Sequence, residues 1–462
     1  MSDMAALYQT EFDLENGISS IIETLGGAGV TQIFVHDISS IKNVSEFISG
    51  FEKYPERSLV FARPDDLVCV AETVDNQYFQ FLYSMGISPR NGNVVVASES
   101  VHPNSSASLS DLLMGNYEAL LKIRKLIKRN KKIVLNPFIA TSRESKLAAI
   151  LEAVLGRKVH LLGGDSDLVD YANHKHNVRT KAIELGVPVP EGDIIELQLG
   201  RPLDLTPIQV AINRYIHKTG RVIVKGSYGA SGSSLVIVEN NPESIKKALS
   251  KITGRIDNRI YIVEVMLDVI VSPNILVHIE PGNGRILCVC VTDQLLSDKL
   301  VHEGNVYLSG AKTLKDMMNS ARRISKWLQA EGYCGLVGFD FGEYFNSKTG
   351  EFKHFLAEIN PRTNAATYSK SLMEHLNIKQ KQKDGPYIEA FLSANVKTNA
   401  SSFAELKESY GHLFFNPKMG EGLVPYNTGC LEYGKFTLAV FGKSRNEVVK
   451  MYEDFKSLLA EE

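Results

Sequence analysis

Residues 335–367 read GLVGFDFGEYFNSKTGEFKHFLAEINPRTNAAT, and the period of two within them decides the fold. Side chains alternate across a strand. Val337, Phe339 and Phe341 therefore share one face of a first strand, and Gly338, Asp340 and Gly342 share the other. In a second strand His354, Leu356, Glu358 and Asn360 are expected on one face, with Phe355, Ala357 and Ile359 opposite. The intervening residues 346–350, NSKTG, have turn chemistry. Folding the hairpin about Thr349 sets Asp340 against Glu358. Two carboxylates directly opposite one another repel. A hard cation with oxygen ligands relieves that repulsion, and Asn360 offers a third oxygen. A solvated edge hairpin with surface acids is the plainer alternative. The apolar opposite face, and Arg362 continuing the polar stripe, weigh against it.

Working outward, 462 residues imply more than one domain. A hydrophobic fraction of 44% and a charged fraction of 23% are ordinary for a globular chain. A net charge of -2 argues against nucleic acid or an anionic membrane as partner. The basic run at 123–132, IRKLIKRNKK, reads as a solvated face at a helix end. No apolar stretch is long enough to span a bilayer. Residues 1–17 are acidic and lack the basic start and apolar block of a secretory signal, so a cytoplasmic protein is expected. Cys69, Cys288, Cys290, Cys334 and Cys430 are odd in number and have no CxxC spacing, which fits a reducing compartment without disulfides or a zinc site. Cys288 and Cys290 are expected on one face of an apolar strand, as core thiols.

The first part of the chain alternates strands, at 32–36, 58–61, 67–70, 93–97 and 132–135, with helices at 109–129 and 142–155. That alternation points to a mostly parallel, doubly wound sheet. Residues 25–30, LGGAGV, fall short of a dinucleotide fingerprint, because Gln32 stands where the third glycine belongs and the glycines precede a strand. A glycine cluster ending a helix fits better. Further on, antiparallel strands are expected at 272–279 and 286–292. An amphipathic helix at 311–330 carries Leu314, Met317, Ala321, Ile324 and Leu328 as a core stripe, with Trp327 beside it. A strand at 435–441 and a helix at 445–459 close the chain.

Three more segments carry chemistry. Residues 221–238, RVIVKGSYGASGSSLVIV, end a strand in Lys225 and pass through a glycine-serine loop into another strand. Successive backbone N–H groups in such a loop make an anion nest, and Lys225 adds a point charge for phosphate. A mobile hairpin loop would look the same; the flanking strands and the lysine favour phosphate. Residues 174–192, HKHNVRTKAIELGVPVPEG, start a short helix at Lys175. His174 and His176 read as surface histidines, since residues two apart do not face one another on a helix. In residues 259–268, RIYIVEVMLD, Glu264 lies at a strand end before an apolar run suited to a purine.

In this order, the four motifs resemble the ATP-grasp superfamily over residues 165–370. The resemblance implies an open α/β (pre-ATP-grasp) domain followed by a two-lobed α+β ATP-grasp fold. The units would be 1–168, 169–265 as the small lid subdomain, and 266–462 as the large subdomain with a strand-helix extension. It implies ATP and Mg2+ as cofactors. Lys175 and Lys225 resemble the nucleotide lysines. Gly226, Ser227, Gly229, Ser231, Gly232 and Ser233 resemble the loop closing over the γ-phosphate. Glu264 and the backbone near Met266 resemble the adenine hinge, with Asp268 near the ribose. Asp340, Glu358 and Asn360 resemble the magnesium ligands, and Arg362 the arginine steadying the transferred phosphate. Within the superfamily, SPNILVHIEPGNGRI, VTDQLL, GLVGFDF and EINPR most resemble pre-ATP-grasp peptide ligases, such as pheganomycin-type ligases and aminoglycoside-side-chain acyl-carrier ligases. The implied activity is carboxylate–amine ligation through an acyl phosphate. Its partners would be a small carboxylate and an amine (amino acid, peptide or carrier-bound acyl group), with no nucleic acid and no membrane, and with a homodimer by analogy. Residues 364–368, NAATY, depart from the glycine-threonine-histidine stretch of those ligases and leave the acceptor open. A carboxylase or formate-dependent transferase, and a non-catalytic ATP-binding regulatory protein, stand as alternatives. Asp293 and His302 are further candidates for supporting the site; no general base is assigned.

Overall fold

The computed structural model describes residues 18–460 except 28, 42–43, 45–47, 99–106, 129–130, 199–203, 229–234, 254–258, 283 and 299. Five short apolar strands, β1 (Val30–Val35), β2 (Leu67–Val70), β3 (Val94–Val96), β4 (Lys132–Pro137) and β5 (Val159–Leu161), pair wholly in parallel in the order β3-β2-β1-β4-β5. The doubly wound expectation holds. Helix Ser142–Leu155 ends at Gly156 with φ +67°, the left-handed geometry a glycine adopts without a Cβ penalty. The expected helix at 109–129 is two helices, Leu109–Gly115 and Tyr117–Leu126. Asn116 breaks it, its side chain accepting from the Ala119 N–H and donating to Ala97 O.

Residues 58–61 are not a strand. They end a 3-10 helix, Phe51–Val60, with Pro55 inside it. The Ser58 hydroxyl donates to Pro55 O at 2.7 Å and Arg57 Nε to Tyr54 O at 3.3 Å. Such local bonds favour a tight turn over a ladder.

A second sheet is four-stranded and antiparallel: β6 (Gly192–Glu196), β7 (Arg221–Gly226), β8 (Leu235–Glu239) and β9 (Ile260–Val265), in the order β6-β9-β7-β8. Val222, Val224 and Val263 face helices Thr206–Thr219 and Pro242–Thr253 in one core. The alternate residues Ile223, Lys225 and Glu264 face a cavity.

The third sheet contains β10 (Val269–Val271), β11 (Pro273–Ile279), β12 (Ile286–Leu296), β13 (His302–Tyr307), β14 (Gly335–Asn346), β15 (Glu351–Asn360), β16 (Ala390–Lys397), β17 (Gly422–Tyr426) and β18 (Lys435–Gly442). Helix Leu314–Ala330 buries the expected stripe against one face. Helix Ala365–Gln382, not anticipated from the sequence, packs on the other. The β11–β12 register slips between Leu276 and Val277, which pair with Cys290 and Cys288 respectively. One slipped residue flips a side chain across a sheet, so Cys288 and Cys290 enter opposite cores rather than one face. Both thiols are buried as expected.

The hairpin floor is tightly fitted at Gly342, where a Cβ would lie 2.4 Å from the Phe355 ring. Gly342→Val should displace that ring and cost about 1–3 kcal/mol, read as a lowered urea midpoint with unchanged far-UV dichroism.

Candidate functional site

A cavity of about 600 Å³ lies where the three sheets meet. Its floor is the β14–β15 hairpin, in which Asp340 pairs directly with Glu358. The register shifts beside that pair, with Phe341 opposite Leu356 and Ala357 bulged. The bulge corrects one expectation. Leu356 lies in the core with Phe341 and Ile359, while Phe355 and Ala357 join Glu358 and Asn360 at the cavity. A bulge reverses facing without a change in sequence pattern.

Asp340 is the electrostatic centre of the floor. Its Oδ1 accepts from Asn274 Nδ2 and from Gln294 Nε2, both at 2.6 Å. Its Oδ2 accepts from Asn360 Nδ2 at 2.9 Å. Burial, then the Glu358 charge, pushes its pKa up from 3.8 to about 7, against the hydrogen bond from Asn274, the Arg362 charge and the bond from Asn360. The amides form a chain. Asn360 Oδ1 accepts from Arg362 Nη2 at 2.8 Å, and Asn274 Oδ1 accepts from Asn364 Nδ2 at 3.0 Å. Asn364 also caps helix Ala365–Gln382. A Cβ on Gly338 would meet Asn364 Nδ2 at 2.8 Å, so the bare backbone there gives the chain its room.

Asn274 and Gln294 are not singled out by sequence, and Asn364 only as part of the stretch 364–368. Asn274 and Gln294 sit in largely apolar strands, and an uncharged amide there becomes informative only once β11 and β12 are registered against β14. Asp293 faces elsewhere, binding Ser309 Oγ at 2.5 Å, the Gly310 N–H at 2.8 Å and Arg445 Nη1 at 2.8 Å. His302 lines the cavity, and burial lowers its pKa.

The cations are arranged around this floor. Lys175 opens helix Lys175–Glu184 and reaches from it to Glu358 Oε2 at 3.3 Å. Its backbone N–H donates to Ser227 O at 2.9 Å, which ties the helix start to the end of β7. Lys225 pairs with Glu264 Oε1, and Arg179 Nη1 with Glu264 Oε2 at 2.6 Å. The Glu264 carboxylate is thus engaged by two cations, and the apolar segment after it, through Val265 and Met266, lines the cavity. The Met266 N–H donates to Arg221 O at 3.2 Å. Asp268 stands 87% exposed at the rim, 2.5 Å from Arg221 Nη2. Gly226 ends β7 and Ser227 is buried beside it, whereas Gly229, Ser231, Gly232 and Ser233 lie outside the described residues. His174 and His176 are not surface histidines. Their Nδ1 atoms lie 3.2 and 2.5 Å from Ser227 Oγ, clasping the neck of that loop.

Two carboxylates and an amide oxygen are hard donors of the kind that suit Mg2+. Among the described residues no three His, Cys, Asp or Glu side chains cluster as a metal site, so Asn360 or a ligand oxygen completes any set here.

The raised pKa of Asp340 has a definite sign. The protonated carboxyl stabilises the fold fully below 3.8, and this contribution is lost as the pH rises through about 7. In magnesium-free buffer Asp340→Asn should therefore flatten the fall in melting temperature across that range, measured by scanning calorimetry. Glu264→Gln should strand two buried cations and destabilise the protein by about 3–5 kcal/mol, measured by chemical denaturation.

No protein-family model and no curated protein matches the sequence. Solved structures do match. N5-carboxyaminoimidazole synthase from Aspergillus clavatus, in complex with ADP and 5-aminoimidazole ribonucleotide, aligns with a TM-score of 0.52 at 11% identity, over 94% of this chain and 99% of that one. N5-carboxyaminoimidazole synthetase from Staphylococcus aureus, complexed with ADP, aligns with a TM-score of 0.52 at 11% identity, over 93% and 97%. A biotin carboxylase–ATP complex from Campylobacter jejuni aligns with a TM-score of 0.51 at 13% identity, over 91% and 89%. At these identities the likeness is one of fold.

Proposed function

We propose that this chain, which has the fold of the ATP-grasp enzymes, is an ATP- and Mg2+-dependent carboxylate–amine ligase of peptide type, with residues 1–168, 169–265 and 266–462 as its units. The observation that carries the reading is the opposed pair Asp340 and Glu358 on the cavity floor, with Asn360 and Arg362 on one side and Lys175 on the other.

In this reading Asp340, Glu358 and Asn360 hold magnesium. Bound there, the ion would neutralise charge on the β- and γ-phosphates. Lys225 exchanges Glu264 for the α- and β-phosphates, and Lys175 exchanges Glu358 for phosphate as the carboxylate turns to the ion. Gly226, Ser227 and the loop through Gly229, Ser231, Gly232 and Ser233 cover the γ-phosphate. The backbone about Met266 holds the adenine, behind Glu264, and Asp268 approaches the ribose. Arg362, fixed through Asn360, meets the negative charge that builds on the moving phosphoryl group. A substrate carboxylate attacks the γ-phosphorus, and the bond to ADP breaks, giving an acyl phosphate. A neutral amine then attacks the acyl carbon, phosphate leaves with the C–O bond pair, and the surplus proton goes to solvent. Positioning and electrostatics supply this catalysis, so no protein nucleophile is needed.

The reading includes a cytoplasmic protein whose partners are a small carboxylate and an amine, with no nucleic acid and no membrane, and a homodimer by analogy. Among the described residues no helix is long and apolar enough to cross a membrane. A second reading, with bicarbonate as the carboxylate, draws on the names of the neighbours above, which include a biotin carboxylase. Magnesium-dependent ADP release, screened against amino acids, peptides, other carboxylates and bicarbonate, separates the two. Release that needs both an organic acid and an amine supports the ligase, release with bicarbonate supports the carboxylase, and ATP binding without any release supports a regulatory binding protein. Glu358→Gln should lower release on the order of a hundredfold or more with the fold retained, read as unchanged far-UV dichroism; full activity would sink the metal assignment.

A further inference from the structure

The far end of the cavity is built by the 3-10 helix Phe51–Val60, and its side chains divide cleanly. Residues three apart eclipse in such a helix. Tyr54 and Arg57 face the cavity. Lys53 and Glu56 face away, Lys53 to Glu72 and Glu432, and Glu56 to Thr428 Oγ1 and the Gly429 N–H. The acid nearest Arg57 in sequence is therefore engaged elsewhere.

Arg57 is only 8% exposed. Its guanidinium carbon stands 4.3 Å from the Tyr54 ring centre, 4.8 Å from Tyr368 and 5.4 Å from Phe138. Aromatic faces accept a spread cation, but they do not take its in-plane N–H directions. Nε is used by Tyr54 O, while Nη2 has no hydrogen-bond partner and the group no carboxylate partner among the described residues. Buried cations are ordinarily paired. Arg362 lies 5.3 Å from the same Phe138 ring, so one phenyl separates a guanidinium at the metal end from a guanidinium at the far end. The Arg57 charge raises the cost of the charge on Arg362.

We infer that Arg57 anchors a second carboxylate of the acyl substrate, which is therefore a short dicarboxylic acid, with one carboxyl activated at the Arg362 end and the other held on Arg57. The apolar spacer crosses Phe138 and the wall formed by Ile38, Ile41 and Ile48. A carboxylate suits this end better than a phosphate. One guanidinium edge matches one planar monoanion, and the other cation nearby, Lys435, stands over Tyr54 at 5.8 Å without lining the cavity. The inference rests on the ligase reading only for which carboxyl reacts.

The test compares glutarate with valerate, and succinate with butyrate, on the full chain. Binding is measured by calorimetry with Mg2+ and a non-hydrolysable ATP analogue, and turnover as hydroxamate with MgATP and hydroxylamine as the amine. The wild-type protein should bind at least one diacid about tenfold to a hundredfold more tightly than its monoacid of equal length. Arg57→Gln should bring that ratio close to one, and Arg57→Lys, which keeps the charge if the glutamine variant folds poorly, should retain part of it. Equal affinity for diacid and monoacid in the wild type, or a preference that survives Arg57→Gln, overturns the anchor. A diacid preference that depends on Arg57 but yields no hydroxamate would instead overturn the ligase reading and leave the anchor standing.

Discussion

The repulsion between Asp340 and Glu358 is the constraint around which the site is organised. Like charges directly across a hairpin destabilise it, and the chain meets that cost with neighbours from several elements. Three amides, from β11, β12 and β15, hydrogen-bond Asp340, and Lys175 reaches Glu358 from a helix outside the sheet. Without a cation, Asp340 holds its proton toward neutral pH. The pair is tolerable only when the strands are in one register, because a slip of one residue would turn the amides to the opposite face.

The second sheet solves the opposite problem. Lys225 and Arg179 bring two cations to one buried carboxylate, Glu264. Both lysines expected to meet a nucleotide are thus held by carboxylates, one on each side of the cavity. Such pairs hold their cations in place, so in the proposed ligase a polyphosphate would exchange one anionic partner for another instead of ordering two long side chains anew. Arg179 would keep Glu264 compensated in that exchange, and its other terminal nitrogen lies on Pro190 O at 2.6 Å.

Much of this was legible in the sequence because the informative contacts are local. The parallel sheet followed from alternation of short apolar strands and helices, and the Asp340–Glu358 pairing followed from strand period and turn chemistry. What escaped has a common cause. The bulge at Ala357 and the slip between Leu276 and Val277 leave no mark on an apolar pattern, yet each reverses facing, as Leu356 and Cys288 demonstrate. Asn274 and Gln294 gain meaning only from partners 66 and 46 residues away. His174 and His176 were read against one another on a helix, whereas they meet through Ser227 on another element.

The same distinction separates the two ends of the cavity. The Asp340–Glu358 end is built on a hairpin whose strands are joined by the four-residue turn 347–350, so the opposition of the two carboxylates is encoded within one stretch. The far end joins the Phe51–Val60 helix, Phe138 from beyond β4, and Tyr426 from β17, residues that share no local pattern. In the proposed ligase, chemistry common to any phosphoryl transfer would need a fixed constellation, and a hairpin can supply one. Selection of a particular acid, as proposed, would need a wall of adjustable shape, and side chains drawn from three separate elements can each change without disturbing the strand register on which Asp340 and Glu358 depend.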